Sequence, residues 1–188
     1  MRGLVTGSFL AAVATFIFGA LFWTSPLPYG AVREVRSDSI AAALLARIFP
    51  DSGLYMLPSP SLSSTDPERY AELHREGPVV TASVVHGAGE PMAAGTLAVG
   101  FLHQFVGCLL IGLVLSQVSP ALPSLGGRAA FIALVGLTAA YWTNLGAVVW
   151  WRSPLGWELW NLVHDVVVWI IAGLVMARFT GAAPPVRT

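Results

Sequence analysis

Hydrophobic residues run almost without interruption through four stretches of the chain, at about 4–23, 96–118, 129–150 and 157–176. An α-helix rises about 1.5 Å per residue and the hydrocarbon core of a bilayer is about 30 Å thick, so roughly 20 apolar residues cross it. Each stretch reaches that length. The pattern predicts an all-α integral membrane protein whose four transmembrane helices form a bundle.

The segment between the first two stretches, residues 24–95, has a different pattern. In "SDSIAAALLARIF", Ser37 or Asp38 can cap a helix. Apolar side chains then follow at spacings of four, at Ile40, Leu44 and Ile48. This spacing predicts a short helix with one apolar stripe.

A second short helix is predicted by "DPERYAELHREGP", where Asp66 stands at the N-cap, Pro67 at the first helical position and Gly77-Pro78 at the end. The stretches "GLYML" and "VVTASVVH" are typical of short strands and could form a hairpin. The segment is therefore expected to form a small outer α/β cap between the first two membrane helices, with too few residues for an independent core.

These patterns divide the chain into four parts. We expect the first transmembrane helix in residues 1–23, the outer, periplasmic cap in 24–95, helices two to four in 96–178 and a cytoplasmic tail in 179–188. The first apolar stretch exceeds that of a signal peptide, which predicts an uncleaved anchor.

Arginine positions predict the orientation. Arg2, Arg128, Arg178 and Arg187 fall on one side of the membrane if both termini are cytoplasmic, and only Arg152 in a short loop opposes them. Short cytoplasmic loops of multi-pass proteins are enriched in basic residues. The expected location is the bacterial inner (plasma) membrane, with both termini in the cytoplasm.

Composition supports the membrane class and narrows the chemistry. Charged residues make up 11% of the chain, against about 25% in soluble domains. The formal net charge is zero, so a nucleic-acid partner is not expected. Cys108 is the only cysteine, which excludes an intrachain disulfide and a cysteine-based metal cluster. No phosphate-binding loop, dinucleotide fingerprint or zinc-protease motif occurs, so an enzymatic activity is not indicated.

Small residues predict where the helices touch, because helices in lipid associate by close backbone approach. Three of the four stretches carry a stripe of small residues. In the second and third stretches the stripe also contains polar residues. The stripes are Gly3, Gly7 and Ala11 in the first; Gly100, His103, Gln104 and Gly107 in the second; and Ala133, Gly136, Ala140, Asn144 and Ala147 in the third.

The fourth stretch contains polar residues on one side. At 100° per residue, Glu158, Asn161, His164 and Asp165 fall within about 120° of arc. A charge facing lipid costs about 2.5–3.5 kcal/mol, so this arc is expected to face protein or water. Glu158, nearer the membrane boundary, is expected to be hydrated or to pair with Arg152.

Depth along the helices predicts that these side chains meet others. Asp165 lies about 12 Å inside the fourth stretch, His103 about 10 Å inside the second and Asn144 about 9 Å inside the third. Three helices would then contribute to one buried polar layer near the outer side. Its predicted members are His103, Gln104, Asn144, Asn161, His164 and Asp165.

Three interpretations of this polar layer are open. It can be a structural hydrogen-bonded network that fixes helix register. His103 and His164, on helices that run in the same direction, could instead clamp a haem b iron, or begin a metal site with Asp165, although no metal site is predicted. Asp165 and His164 could also serve proton- or ion-coupled transport.

Three segments, "SGLYMLP", "DPERYAELHREGPV" and "NLVHDVVVWIIAGLVMA", give the chain a resemblance to a family of small uncharacterised bacterial inner-membrane proteins. The resemblance covers nearly the whole chain and implies one span, an outer loop and three further spans, and it carries no information about activity. In that family the residues matching Asn161 and Asp165 recur, whereas a small residue stands where this chain has His164. It therefore favours Asn161 and Asp165 over His164 as the centre of the layer.

The function expected from these observations is that of a non-catalytic accessory or structural subunit in the lipid bilayer. It would dock to a larger membrane complex. We expect it to bind another membrane protein or to form a homo-oligomer. The rival functions are a haem- or metal-binding redox protein that uses His103 and His164, and a transport component that uses Asp165.

Overall fold

The computed structural model describes residues 2–180, so the predicted tail beyond Thr180 lies outside the described residues. Eight helices and two strands are labelled here, and short 3-10 and π segments join them. In chain order they are α1 (Arg2–Thr24), α2 (Asp38–Ile48), β1 (Gly53–Leu57), α3 (Leu62–Thr65), α4 (Pro67–Glu76), β2 (Val80–Val84), α5 (Ala94–Val118), α6 (Leu125–Ala140), α7 (Gly146–Trp151) and α8 (Leu155–Phe179).

Four helical runs are long enough and apolar enough to cross a membrane. They are Arg2–Thr24, Ala94–Ala121, Leu125–Trp151 and Leu155–Phe179. These runs match the four predicted stretches, and the third joins α6 and α7 through a π-helical segment, Tyr141–Leu145. The chain divides into two compact units, one formed by residues 33–91 and the other by the residues on either side of them.

In the helical unit, α8 is the central element. It packs most extensively on α6 and α1, α1 also packs on α5, and α5 and α6 barely touch. The fully buried core includes Ala11 of α1, Leu115 of α5, Ile132 of α6 and Met176 of α8. These residues come from the first half of α1 and α6 and from the second half of α5 and α8, so the tight core lies toward one end of the bundle.

Glycines allow the closest helix contacts. A Cβ added at Gly136 would lie 2.2 Å from Cβ and Cγ of Trp169, and one at Gly173 would lie 2.8 Å from the Ile132 side chain. Helices α6 and α8 therefore pack backbone to backbone, as small residues permit. At the α1 contact, a Cβ at Gly7 would lie 2.7 Å from Phe179.

The buried faces of α1 and of α6 with its π segment largely follow the predicted stripes, although Gly3 is exposed. The face predicted for α5 is wrong. His103 is exposed and an added Cβ at Gly107 would meet nothing within 4 Å. The buried residues of α5 are Cys108, Ile111, Gly112 and Leu115. The cause is the rotation of α5: Phe101 packs on Phe9 and Phe16 of α1, which leaves His103 on the outer side.

The smaller unit contains the predicted short elements. Asp66 caps α4, with its carboxylate 3.0 Å from the Arg69 amide, and Gly77 ends the helix at a φ of +66°. Strands β1 and β2 pair antiparallel, from Gly53 opposite Val84 to Leu57 opposite Val80. They are not a simple hairpin, because α3 and α4 lie between them in the chain.

Candidate functional site

The first half of α8 holds two groups of polar side chains. The group nearer its start is centred on Glu158, which is buried at 8% exposure. Its two oxygens accept hydrogen bonds from the Ser153 hydroxyl and, at 3.3 Å, from the Asn161 amide. A carboxylate in the first turn is also favoured by the helix dipole. The expected pairing with Arg152 is not observed, because Arg152 is exposed in a left-handed turn before α8.

The second group begins at the π segment Tyr141–Leu145. Such segments widen a helix by one residue and are frequent at functional sites. Here the segment carries Asn144, which is buried and donates both amide hydrogens. One goes to the Ala140 carbonyl and the other to Asp165 Oδ2, each at 3.0 Å. Asn144 therefore links the third helical run to α8.

Asp165 is the centre of this second group. Its Oδ2 accepts the Asn144 bond, and its Oδ1 lies 3.1 Å from His164 Nδ1. We call Asn144, His164 and Asp165 the Asp165 cluster. Two helical runs supply it, and not three as predicted. Asn161, expected in the same layer, bonds Glu158 instead.

His164 is held by aromatic side chains of α1. Its ring stacks on Phe18 with centroids 5.7 Å apart, and Phe22 and Trp23 lie at 5.2 Å. The histidine side chain is 17% exposed. A Cβ placed at Gly19 would lie 3.5 Å from His164 Nε2, so the ring lies close beside α1. His164 thus joins α1 to the Asp165 cluster.

The α5 residues of the predicted polar layer do not join this cluster. His103 is exposed, so its assignment to a buried layer is wrong. Gln104 is half-buried and lies in a groove with Cys108 of its own helix and Trp169 of α8. His103 lies on the side of α5 away from Phe101, which packs on Phe9 and Phe16 of α1.

The structure gives the two histidines of the predicted pair different surroundings. His164 Nδ1 lies 3.1 Å from Asp165 Oδ1 among the aromatic side chains of α1, whereas His103 is exposed on α5. Within residues 2–180, no group of three or more His, Cys, Asp or Glu side chains could hold a metal ion. The cluster is therefore suited to hydrogen bonding and charge pairing.

Asp165 is open on one side. Residues seven apart lie on nearly the same helix face, and Glu158, Asp165 and Ala172 share that face of α8. Glu158 and Ala172 are buried residues, whereas Asp165 is only partly buried and leaves 41% of its side chain exposed. Asp165 lies ten residues into a helix of 25, about 15 Å from its start. A polar side chain is thus uncovered near the middle of an apolar helix.

A groove runs between α5 and α6, one turn of α8 beyond Asp165. Its volume is about 270 Å³, and Val168 and Trp169 of α8 lie in it. Gln104 is its polar lining residue, while Leu110 and Val114 of α5 and Val135 of α6 supply apolar walls. It exists because α5 and α6 barely touch. Its position and lining suit it to contact with apolar side chains.

Arg128 is a buried polar residue that sequence reasoning used only for orientation. Its Nε donates to the Ala177 carbonyl in the last turn of α8, and its Nη1 donates to the carbonyls of Leu122 and Pro123, all at 3.1 Å. The last four carbonyls of a helix lack partners within it, and cations are favoured there. The signal in the sequence that could have indicated this role is the position of Arg128 at the edge of an apolar stretch.

The chain was compared with protein families, curated proteins and solved structures. No family matches it, and no curated protein or solved structure does. The function is therefore inferred from the Asp165 cluster, the groove and the buried Arg128.

Proposed function

We propose that this chain is an integral protein of the bacterial inner membrane that serves as a non-catalytic accessory subunit. It would cross the bilayer four times with both termini in the cytoplasm. Its α5–α6 side would receive a helix of a partner membrane protein. The four long apolar runs support insertion.

The single observation that carries this proposal is the uncovered carboxylate of Asp165, whose side chain is 41% exposed. Facing lipid, a charged group costs about 2.5–3.5 kcal/mol on insertion scales. His103 of α5 is exposed at a similar distance from the start of its helix. A polar or charged group from another molecule would remove this cost.

The groove indicates the chemistry of the occupant. Its walls are aliphatic, and it holds about 270 Å³, enough for a few apolar side chains of a packed helix. The partner helix would therefore place small or aliphatic side chains against Leu110 and Val135. It would place a hydrogen-bond donor at the level of Asp165, because the open carboxylate can accept further hydrogen bonds.

The rival transport function finds less support in the same geometry. A proton path needs successive titratable groups across the bundle. Beyond Asp165, the same face of α8 continues with Ala172 and Met176, which are fully buried against the apolar core. The Asp165 and His164 pair therefore adjoins a closed apolar barrier on that side.

Site-specific photo-crosslinking in native membranes tests the proposed function. A photoreactive amino acid replaces Leu110 in the groove or, as a matched control, Ile17 on α1. The two side chains are similarly exposed, at 57% and 55%, and Ile17 is outside the groove. We expect one discrete protein adduct from position 110 and none from position 17.

Equal protein adducts from both positions, or none from position 110, would contradict docking at the groove. An adduct of twice the mass of the chain would identify self-association and overturn the accessory role.

A further inference from the structure

Helix α2 is apolar and has no buried residue. Ile40 and Ile48 are 63% and 62% exposed, and Leu44 and Leu45 are about half exposed. A helix of 11 residues is marginal in water without packing. An isolated aliphatic helix of this kind would therefore be stabilised by packing against an apolar surface.

The aliphatic side chains of α2 occupy one side. At 100° per residue, Ile40, Leu44, Ile48 and Leu45 fall within about 140° of arc. The opposite side carries only small residues, Ser39, Ala42, Ala43 and Ala46. The large aliphatic face contains no aromatic residue and no hydrogen-bonding side chain. Protein interfaces, by contrast, are enriched in aromatic anchors and arginine.

A linker of five residues joins the bundle to α2. The 3-10 helix Pro28–Ala31 packs on α8, and Pro28 is fully buried. Only residues 33–37 separate Val32 from α2, and an extended chain covers about 3.3–3.6 Å per residue. The start of α2 therefore lies within roughly 20 Å of Val32. If the bundle spans a bilayer, this tether holds α2 beside the lipid surface.

We propose that α2 lies on the outer surface of the bilayer, with Ile40, Leu44, Leu45 and Ile48 inserted among the lipid chains. The inference rests on the proposed insertion of the four long helices. Arg33, Arg36 and Arg47 can contact lipid phosphates. Glu34, Asp38 and Asp51 balance their charge. Apolar contact therefore drives the binding, and neutral lipids suffice for it.

Fluorescence quenching by brominated lipid tests this placement. The full-length chain, with Cys108 replaced by Ala, carries a single labelled cysteine at Leu44, at Ala46 on the opposite side of α2, or at Ile17 in α1. Each variant is reconstituted into neutral phosphatidylcholine vesicles with and without bromine in the acyl chains. An interfacial helix buries its apolar face about 5–10 Å deep, so we expect Leu44→Cys to lose about half its emission. Ala46→Cys should lose little.

The Ile17→Cys variant separates the two proposals. If Ile17→Cys is quenched and Leu44→Cys is not, α2 is not on the lipid and the inference fails while insertion stands. If Ile17→Cys is not quenched, insertion itself fails. A Leu44→Cys label that is shielded from water yet unquenched would place α2 against protein, which also overturns the inference.

Discussion

Replacing Gly136 with Ala is expected to lower the free energy of unfolding by about 2–3 kcal/mol, the upper part of the roughly 1–3 kcal/mol found when a packed core is overfilled. The new Cβ would lie 2.2 Å from Cβ and Cγ of Trp169. These atoms adjoin the backbone of α8, so a rotamer change cannot move them away and the two helices must separate. The contact between α6 and α8 is the most extensive in the bundle. Reversible unfolding in mixed detergent micelles measures the loss.

Two other glycines serve as controls. Gly107→Ala meets nothing within 4 Å, and it should leave stability unchanged or raise it by up to about 1 kcal/mol through helix propensity. Gly112→Ala meets Cε of Met176 and Cδ1 of Leu4, the flexible ends of two side chains, so its loss should be smaller than that of Gly136→Ala. Equal losses at Gly107 and Gly136 would contradict the close packing of α6 on α8.

Replacing Arg128 with Met is expected to cost about 3–4 kcal/mol of stability, because hydrogen bonds from charged groups contribute about 1.5–3 kcal/mol each and part of the loss is recovered by water. The guanidinium ties the last turn of α8 to the segment before α6, through the carbonyls of Ala177, Leu122 and Pro123. Methionine keeps the length of the side chain and removes every donor. Thermal unfolding in detergent reports the change.

Arg178→Met is the matched control. Arg178 lies in the same last turn of α8 but is exposed, and its bond to the Leu174 carbonyl is long, at 3.5 Å. It should lose less than about 0.5 kcal/mol, as is usual for surface substitutions. Arg128→Lys should be more stable than Arg128→Met but less stable than the wild type, since a compact ammonium lacks the guanidinium fork. Similar losses for Arg128→Met and Arg178→Met would show that charge near the helix end, and not the buried bonds, is responsible.

Local signals in the sequence were sufficient for the four long helices and for the ends of α4. The apolar stretches located the four long helices, because burial in a bilayer demands length and hydrophobicity together. Asp66 and Gly77 marked the ends of α4 because capping involves only neighbouring residues. Depth along the helices placed Asn144 and Asp165 at one level, and the structure joins them by a 3.0 Å hydrogen bond.

Rotation and separation of helices were not predictable in the same way. The face assigned to α5 depended on its polar residues, whereas the buried residues Cys108, Gly112 and Leu115 give no polar signal. His103 therefore entered the predicted layer although the first part of α5 is exposed. The π segment around Asn144 also went unrecognised, because no residue type requires it. Such features depend on all four helices at once.

Side-chain partners were the least predictable part of the site. Asn161 lies on the same side of α8 as Asp165, yet its amide reaches back to Glu158, which is three residues away on the adjoining turn. In the sequence, Arg128 served only as one of the positive charges that predict the orientation. Its role in holding the end of α8 depends on a carbonyl 49 residues away.

The central claim is that Asn144 and Asp165 meet between the third and fourth long helices while His103 stays apart. A double-mutant cycle with Asn144→Ala and Asp165→Ala, followed by unfolding in mixed micelles, tests it most directly. We predict a coupling energy of about 0.6–1.7 kcal/mol for this pair. We predict additivity within about 0.3–0.5 kcal/mol for His103→Ala with Asp165→Ala. Additive losses for Asn144 and Asp165, or a coupling between His103 and Asp165, would contradict the account.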